Sequence, residues 1–240
     1  MQKSEGWKDK KKILVILAHP DDPEFFCGGS IARWISKGHE VHYALFTRGD
    51  KGCDNQNEDC SKIAGTREKE QREAAKFLGV SSVTFMQFED GYLIADLDTR
   101  KAAVRVIRTI RPDVIVSCDP TAIFFRENYI NHPDHLAAGQ IVANAVFPAA
   151  GNALFFPDLI EKERLQPHQV QEVWFSLTGE PTIKLDVTDY WETKIQALHR
   201  HESQIGDFDQ FDQHMRRRTI SKSSGKKPKY IEQFRRIRYQ

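Results

Sequence analysis

Short apolar runs alternate along the chain with longer stretches in which apolar residues recur at helical spacing. Residues 13–18, ILVILA, are continuously apolar and bounded by charge, which predicts a central strand buried on both faces. The Gly28-Gly29-Ser30 step then opens the pattern IARWISKG, a helix with Gly38 as its C-cap. Residues 41–46 predict a second strand. Residues 48–65 are polar and rich in Gly, Asn and Asp, the composition of an exposed loop on the ligand side. Thr66 is placed to cap the helix REKEQREAAKFLG, although Lys69 stands where a full capping box wants an acid or amide. A strand over 83–88, a helix over 99–110, a strand over 113–118 and an apolar helix over 136–147 come next. Strands over 170–177 and 183–187 follow, and Asp189 begins a helix that ends near Ser203.

Strands alternating with helices predict an α/β domain with a mostly parallel sheet and helices on both faces. No repeat and no boundary interrupts the pattern, so residues 1–240 read as a single domain. Residues 1–11 form a polar N-terminal tail and residues 215–240 a basic C-terminal segment.

Composition narrows the classes. Hydrophobic residues make up 40% of the chain and charged residues 29%, enough for one core and a charged surface. No apolar run approaches the roughly 18 to 20 residues that cross a bilayer. The polar start, MQKSEGWKDKKK, leads into too short an apolar stretch for a signal peptide, so a cytoplasmic location is expected. A net charge of +1 gives no argument for nucleic acid or membranes. The basic end, with its Tyr and Phe, could track a phosphate backbone but reads better as a solvated face, and nucleic-acid binding is not expected. The four cysteines are too few and too irregular for a disulfide framework. Cys53 and Cys60 flank DNQNED, where a loop disulfide is open but disfavoured in a reducing cytosol.

Two polar clusters sit where ligands bind in open α/β sheets, beyond the carboxyl ends of strands. His19-Pro20-Asp21-Asp22-Pro23-Glu24 follows the first strand, and Asn131-His132-Pro133-Asp134-His135 follows the fourth after a loop. A catalytic zinc site takes three protein ligands and keeps one position open. His19 and Asp22 lie three apart on a Pro-stiffened loop, and His135 could complete the set from across the sheet end. Asp21 is then left as a general base. His132, as imidazolium, is a candidate oxyanion donor or the acid that protonates the leaving amine, and Asp134 could orient it. Singly, a His-Pro or Asp-Pro step is more often turn chemistry, so the pair of clusters carries the argument. No G-x-G-x-x-G follows the first strand, and two carboxylates there would repel a pyrophosphate.

These residues resemble the PIG-L/LmbE-like family of zinc-dependent N-acetylglucosaminyl deacetylases. Its motif A-H-P-D-D-x-E stands as Ala18 to Glu24, and its motif H-P-D-H as His132 to His135. Weaker agreements cover nearly the whole chain: Thr47-Arg48-Gly49-Asp50, Arg67 with Glu70 and Glu73, Phe88-Glu89-Asp90-Gly91, Lys194 followed by ALHRHESQ, and YIEQF near the end. The resemblance implies a Rossmann-like fold, one zinc ion, loss of acetate from an N-acetylated amino sugar, and a C-terminal segment docked on the domain. It implies His19, Asp22 and His135 as metal ligands, with Asp21 as base and His132 backed by Asp134. Arg67, Asp50 and Asp90 match positions associated with substrate, while Arg67 reads equally as an ion-pair partner of Glu70. His201 could reach the site as an oxyanion donor or lie exposed on its helix. A homo-oligomer is a further expectation.

The chain departs from the family in two respects. Asn131 stands where an arginine is often found, and the preceding loop, TAIFFRENYIN, offers Phe124, Phe125 and Tyr129 either to an acceptor pocket or to its own sheet edge. Fe2+ in the same site, a ferrous oxygenase, a hydrolase of another small amide such as a thiol-sugar conjugate, and a non-catalytic sugar- or partner-binding module are the competing readings. A binding module would have no use for Asp21.

Overall fold

In the computed structural model the described residues are 3–52, 59–124, 129–221 and 229–239. The strands are β1 (Lys12–Leu17), β2 (Glu40–Thr47), β3 (Ser82–Phe88), β4 (Val114–Cys118), β5 (Glu172–Ser176), β6 (Ile183–Asp186), β7 (Ile220–Ser221) and β8 (Lys229–Arg238). The helices among these residues are α1 (Asp22–Ser36), α2 (Cys60–Leu78), α3 (Leu97–Ile110), α4 (Pro133–Asn144), α5 (Pro157–Glu161), α6 (Trp191–Leu198), α7 (Glu202–Ile205) and α8 (Phe208–Thr219). One sheet runs in the order β3-β2-β1-β4-β5-β8-β6, with β7 beside β8. The first five strands are parallel, while β8 is antiparallel to both β5 and β6. The expected mostly parallel sheet is therefore present, closed at one side by an antiparallel pair. No described helix is long and apolar enough to cross a membrane.

The unbroken apolar run of β1 is explained by two cores. Ile13, Val15 and Leu17 pack with Trp34 of α1, Leu78 of α2 and Leu198 of α6 on one face. Leu14, Ile16 and Ala18 pack with Ile107 of α3 and Ile141 of α4 on the other. All six are 0% exposed, so period-two alternation never appears in the sequence. Each of the five Ile, Leu and Val side chains contributes about 1.5–3 kcal/mol of burial.

Several boundaries differ from those expected. Helix α1 runs from Asp22 with Pro23 in its first turn, where a missing N–H costs nothing. Cys27 (φ −147°, ψ 19°) breaks it, so the helix expected to open at Gly28 is the segment after that kink and the short turn from Asp22 precedes it. Gly29 lies inside the helix, where a Cβ would overlap Val187. Helix α2 starts at Cys60 with Asp59 as N-cap, its side chain accepting from Ser61 N, so Thr66 is a helix-interior residue. Asp96 and Thr99 form a reciprocal capping box at the start of α3. The apolar helix stops at Asn144, and the chain passes through an irregular turn in which Phe147, before Pro148, is extended (φ −128°, ψ 125°). Buried Arg108 holds the chain beyond by donating to the carbonyls of Ala149, Ala150, Asn152 and Phe155. The helix expected from Asp189 to Ser203 is divided, with His201 at the start of α7.

Both ends of the chain are built into the fold. Trp7 packs on Trp34 and Trp174, and Glu5 binds Arg33, so much of the polar N-terminal stretch is anchored. Glu232 of β8 accepts from Gly29 N and Ser30 N of α1 and from Lys194 Nζ of α6. Lys194 and Glu232 are 2% and 4% exposed, a buried ion pair that ties β8 to α6, while the bonds to Gly29 and Ser30 tie it to α1. Cys60 is a free thiol, and Cys53 lies outside the described residues.

Candidate active site

Strand order reverses direction between β1 and β4, and the two polar clusters meet at the carboxyl ends of these neighbouring strands. His19 to Asp22 turn directly from β1 into α1. His132 is the N-cap of α4 and Pro133 its first residue, which places Asp134 and His135 in the opening turn. Helix α4 comes close to β4 because Gly139 faces the carbonyl of Cys118, which a Cβ there would overlap.

His19, Asp22 and His135, all buried, present ligand atoms within 4.8 Å of one another. His19 Nδ1 lies 3.5 Å from Asp22 Oδ2, and His135 Nε2 lies 3.1 Å from Asp22 Oδ1. The other nitrogen of each ring is engaged from behind: His19 Nε2 by Asp90 Oδ1 (3.0 Å) and Asp134 Oδ2 (3.2 Å), His135 Nδ1 by Asn131 Oδ1 (2.9 Å). These contacts leave His19 Nδ1 and His135 Nε2 facing Asp22, the disposition of imidazoles backed for metal binding. Burial disfavours charge on His19, yet the carboxylates of Asp134, Asp22 and Asp90 hold its pKa well above the ordinary value. Burial likewise opposes ionisation of Asp22, but His135 and His19 keep it far below the usual carboxylate range. This pocket favours a positive charge, and its donor set fits a zinc-type ion.

Asp21 stands beside this set in a left-handed backbone conformation, φ 83° and ψ −29°. Such a conformation costs a non-glycine residue about 1–3 kcal/mol and persists only where neighbours enforce it. Asp21 occupies the N-cap position of α1 but makes no side-chain cap bond. Its carboxylate meets Arg67 Nη2 at 3.1 Å, while its backbone N–H donates to Gln71 Oε1 at 2.7 Å. Burial pushes the Asp21 carboxyl up to about 6, against the lowering pull of Arg67.

The remaining expected residues fall into place differently. Arg67 is buried and donates to the Pro20 and Gly49 carbonyls as well as to Asp21; Glu70 instead accepts from Ser203. Asp134 accepts from Gly91 N and Leu93 N and faces His19, so its carboxylate backs His19 rather than His132. His132 Nδ1 accepts from Asp134 N, which puts the proton of the neutral ring on Nε2. Burial and the nearby His19 and His135 lower the His132 pKa, which disfavours a standing imidazolium. Asp90 stands behind His19 and Asp50 behind Asp90, whose N–H it accepts at 3.2 Å. His201 is fully buried, with Nε2 3.2 Å from Glu24 Oε2 and Nδ1 without a partner among the described residues. Phe124 and Tyr129 are exposed, and Phe125 lies outside the described residues.

Three residues in this constellation carried no expectation of such a role. Asn131 orients His135 and donates to the Ala122 carbonyl. Glu24, quoted only as part of a motif, is fully buried beneath Asp21 and accepts from Gln71. Gln71 lies inside α2, and the one clue to it in the sequence is an amide at a position that faces the core.

Comparison with known proteins agrees with this geometry. The model of the family described as PIG-L, GlcNAc-PI de-N-acetylase, matches residues 14–146. The chain is 35% identical over 202 residues to the diacetylchitobiose deacetylase of Thermococcus kodakarensis, covering 84% of this chain and 73% of that one. It is 25% identical over 203 residues to a probable N-acetyl-alpha-D-glucosaminyl L-malate deacetylase 2 of Bacillus anthracis, covering 82% and 83%. The solved N,N'-diacetylchitobiose deacetylase from Pyrococcus horikoshii, complexed with an inhibitor, superposes with a TM-score of 0.86 at 28% identity, over 96% of this chain and 85% of that one. With the family model covering more than half its length and both motif clusters at one strand crossing, this chain belongs to the PIG-L family of GlcNAc-PI de-N-acetylases.

Proposed function

We propose that this protein is a zinc-dependent hydrolase that removes the acetyl group from an N-acetylated amino sugar. The observation that carries the reading is the convergence of His19, Asp22 and His135 beside Asp21, an aspartate whose carboxylate is not spent on capping its helix. Relatives named as deacetylases of chitobiose and glucosaminyl-malate support the sugar class.

The metal, when bound, supplies Lewis acidity, polarising the amide carbonyl and acidifying water at its open position. Asp21 takes the proton of the attacking water; a carboxyl raised to about 6 is a stronger base than an ordinary aspartate and still ionised at neutral pH. Arg67 holds the Asp21 carboxylate by one oxygen and leaves the other to water. Neutral His132 offers its Nε2–H to the oxygen on which charge develops as the carbon becomes tetrahedral. Asp21 then returns the proton to the sugar nitrogen as the C–N bond breaks, giving acetate and a free amine. His201 is fully buried and bonded to Glu24, so its place is a supporting one behind Asp21 rather than contact with the sugar.

Acetate release should be measured across N-acetylglucosamine, N,N'-diacetylchitobiose and N-acetylglucosaminyl conjugates of malate and inositol, with and without chelator. Release from at least one substrate, abolished by chelation and restored by Zn2+, supports the reading; restoration by Fe2+ alone would replace the metal. Release that survives chelation, or an Asp21→Asn variant as active as the parent, would overturn it.

A further inference from the structure

The left-handed backbone of Asp21 needs a restraint, and the described residues supply one from a different helix. Gln71 of α2 is 0% exposed, and its side chain spans two partners. Oε1 accepts from Asp21 N at 2.7 Å, while Nε2 donates to Glu24 Oε1 and Oε2 at 3.1 and 3.0 Å. The amide orientation is settled by chemistry: one neighbour is a donor N–H, the other a carboxylate. Glu24, also 0% exposed, is held in turn by His201 Nε2 at 3.2 Å. Gln71, Glu24 and His201 are all 0% exposed, where a broken hydrogen bond has no water to replace it, while Asp21 at the end of this series of bonds is partly buried.

We propose that Gln71 is a positioning residue for the catalytic base: through its bond to the Asp21 N–H, and itself fixed by the Glu24–His201 pair, it locks the backbone turn that presents the Asp21 carboxylate. Gln71 has no exposed surface to offer a substrate, so it acts through Asp21. The proposal rests on the reading of Asp21 as the base, but its structural half stands apart from turnover.

The geometry permits a swap. In Gln71→Glu, two carboxylates face each other and the bond to Glu24 is lost. In the double variant Gln71→Glu with Glu24→Gln, the new carboxylate at 71 accepts from both Asp21 N–H and the amide at 24, whose oxygen still accepts from His201. Gln71→Met keeps the volume and removes both bonds.

For each variant, zinc content, kcat and KM on the substrate that releases acetate, and hydrogen exchange of the Asp21 amide in the metal-free protein are to be measured. Gln71→Met should lower kcat about 10- to 100-fold with KM and zinc content little changed, since misplacement of a reacting group acts on the chemical step. The Asp21 amide should exchange about tenfold faster or more, while the rest of α1 keeps its protection. Gln71→Glu should be worse and the double variant should recover most of both losses. Undiminished protection of the Asp21 amide in Gln71→Met overturns the proposal. So does a loss spread evenly over α1 and α2, or a double variant no better than Gln71→Glu. If the parent protein releases no acetate from any substrate, the deacetylase reading fails, and the exchange data still decide the role of Gln71.

Discussion

The Asp134 carboxylate lies 3.2 Å from His19 Nε2 and takes backbone N–H bonds from Gly91 and Leu93 as well. It thereby ties the loop after β3 to His19, a candidate ligand, and fixes which of its nitrogens faces Asp22.

Loss of this charge should act on the metal first. Asp134→Asn is expected to weaken metal affinity about 10- to 100-fold, as removal of a carboxylate behind a ligand imidazole does elsewhere. Competition with a chromophoric chelator reads this directly, and an unchanged affinity would mean that Asp90 alone orients His19.

Arg67 favours the charged form of Asp21, 3.1 Å away. Removing that cation in Arg67→Met raises the Asp21 pKa, so a higher pH is needed to ionise the proposed base. The acid limb of kcat/KM against pH should move upward by about one unit. A limb that stays put would show that another group sets it.

The buried pair Lys194–Glu232 (2.6 Å) joins α6 to the terminal strand. Lys194→Met leaves Glu232 buried without its cation and should cost about 3–5 kcal/mol in urea unfolding. Adding Glu232→Gln should recover part of that loss, since the stranded charge is then gone. Additive losses would show that the pair is not coupled.

Glu5 gives a pH dependence of stability. Burial would raise its pKa, but the hydrogen bond and charge of Arg33, with Lys37, bring it down to about 2. A depressed carboxyl stabilises the fold above its unfolded value of 4.5 and loses that contribution as pH falls through about 2. The stability difference between the parent and Glu5→Gln should be on the order of 2 kcal/mol at neutral pH, Arg33 and Lys37 being partly exposed, and should vanish near pH 2. A difference independent of pH would assign the effect to packing.

The residues that could hold a metal are legible in the chain. His19, Asp22 and His135 are polar residues at the ends of apolar strands, and such placement is readable because strand runs and helix periods are local properties. Local signals also yielded the alternation of strands and helices. They misplaced the start of α2, where Asp59 outweighed the Thr66 that looked like a boundary, and they missed the turn from Asp22 that precedes the kink at Cys27 in α1. The division of α6 from α7 was equally hidden, and it leaves His201 at the start of α7, bonded to Glu24 177 residues away.

The sequence by itself determined the layered α/β architecture and the residues able to bind an ion, because hydrophobic period and side-chain chemistry are written residue by residue. Only the tertiary structure decided what stands behind each of them: Asp134 and Asp90 at His19, Asn131 at His135, Arg67 and Gln71 at Asp21. Most of those partners are 40 or more residues apart in the chain, and a hydrogen bond has no sequence signature until folding brings donor and acceptor within about 3 Å.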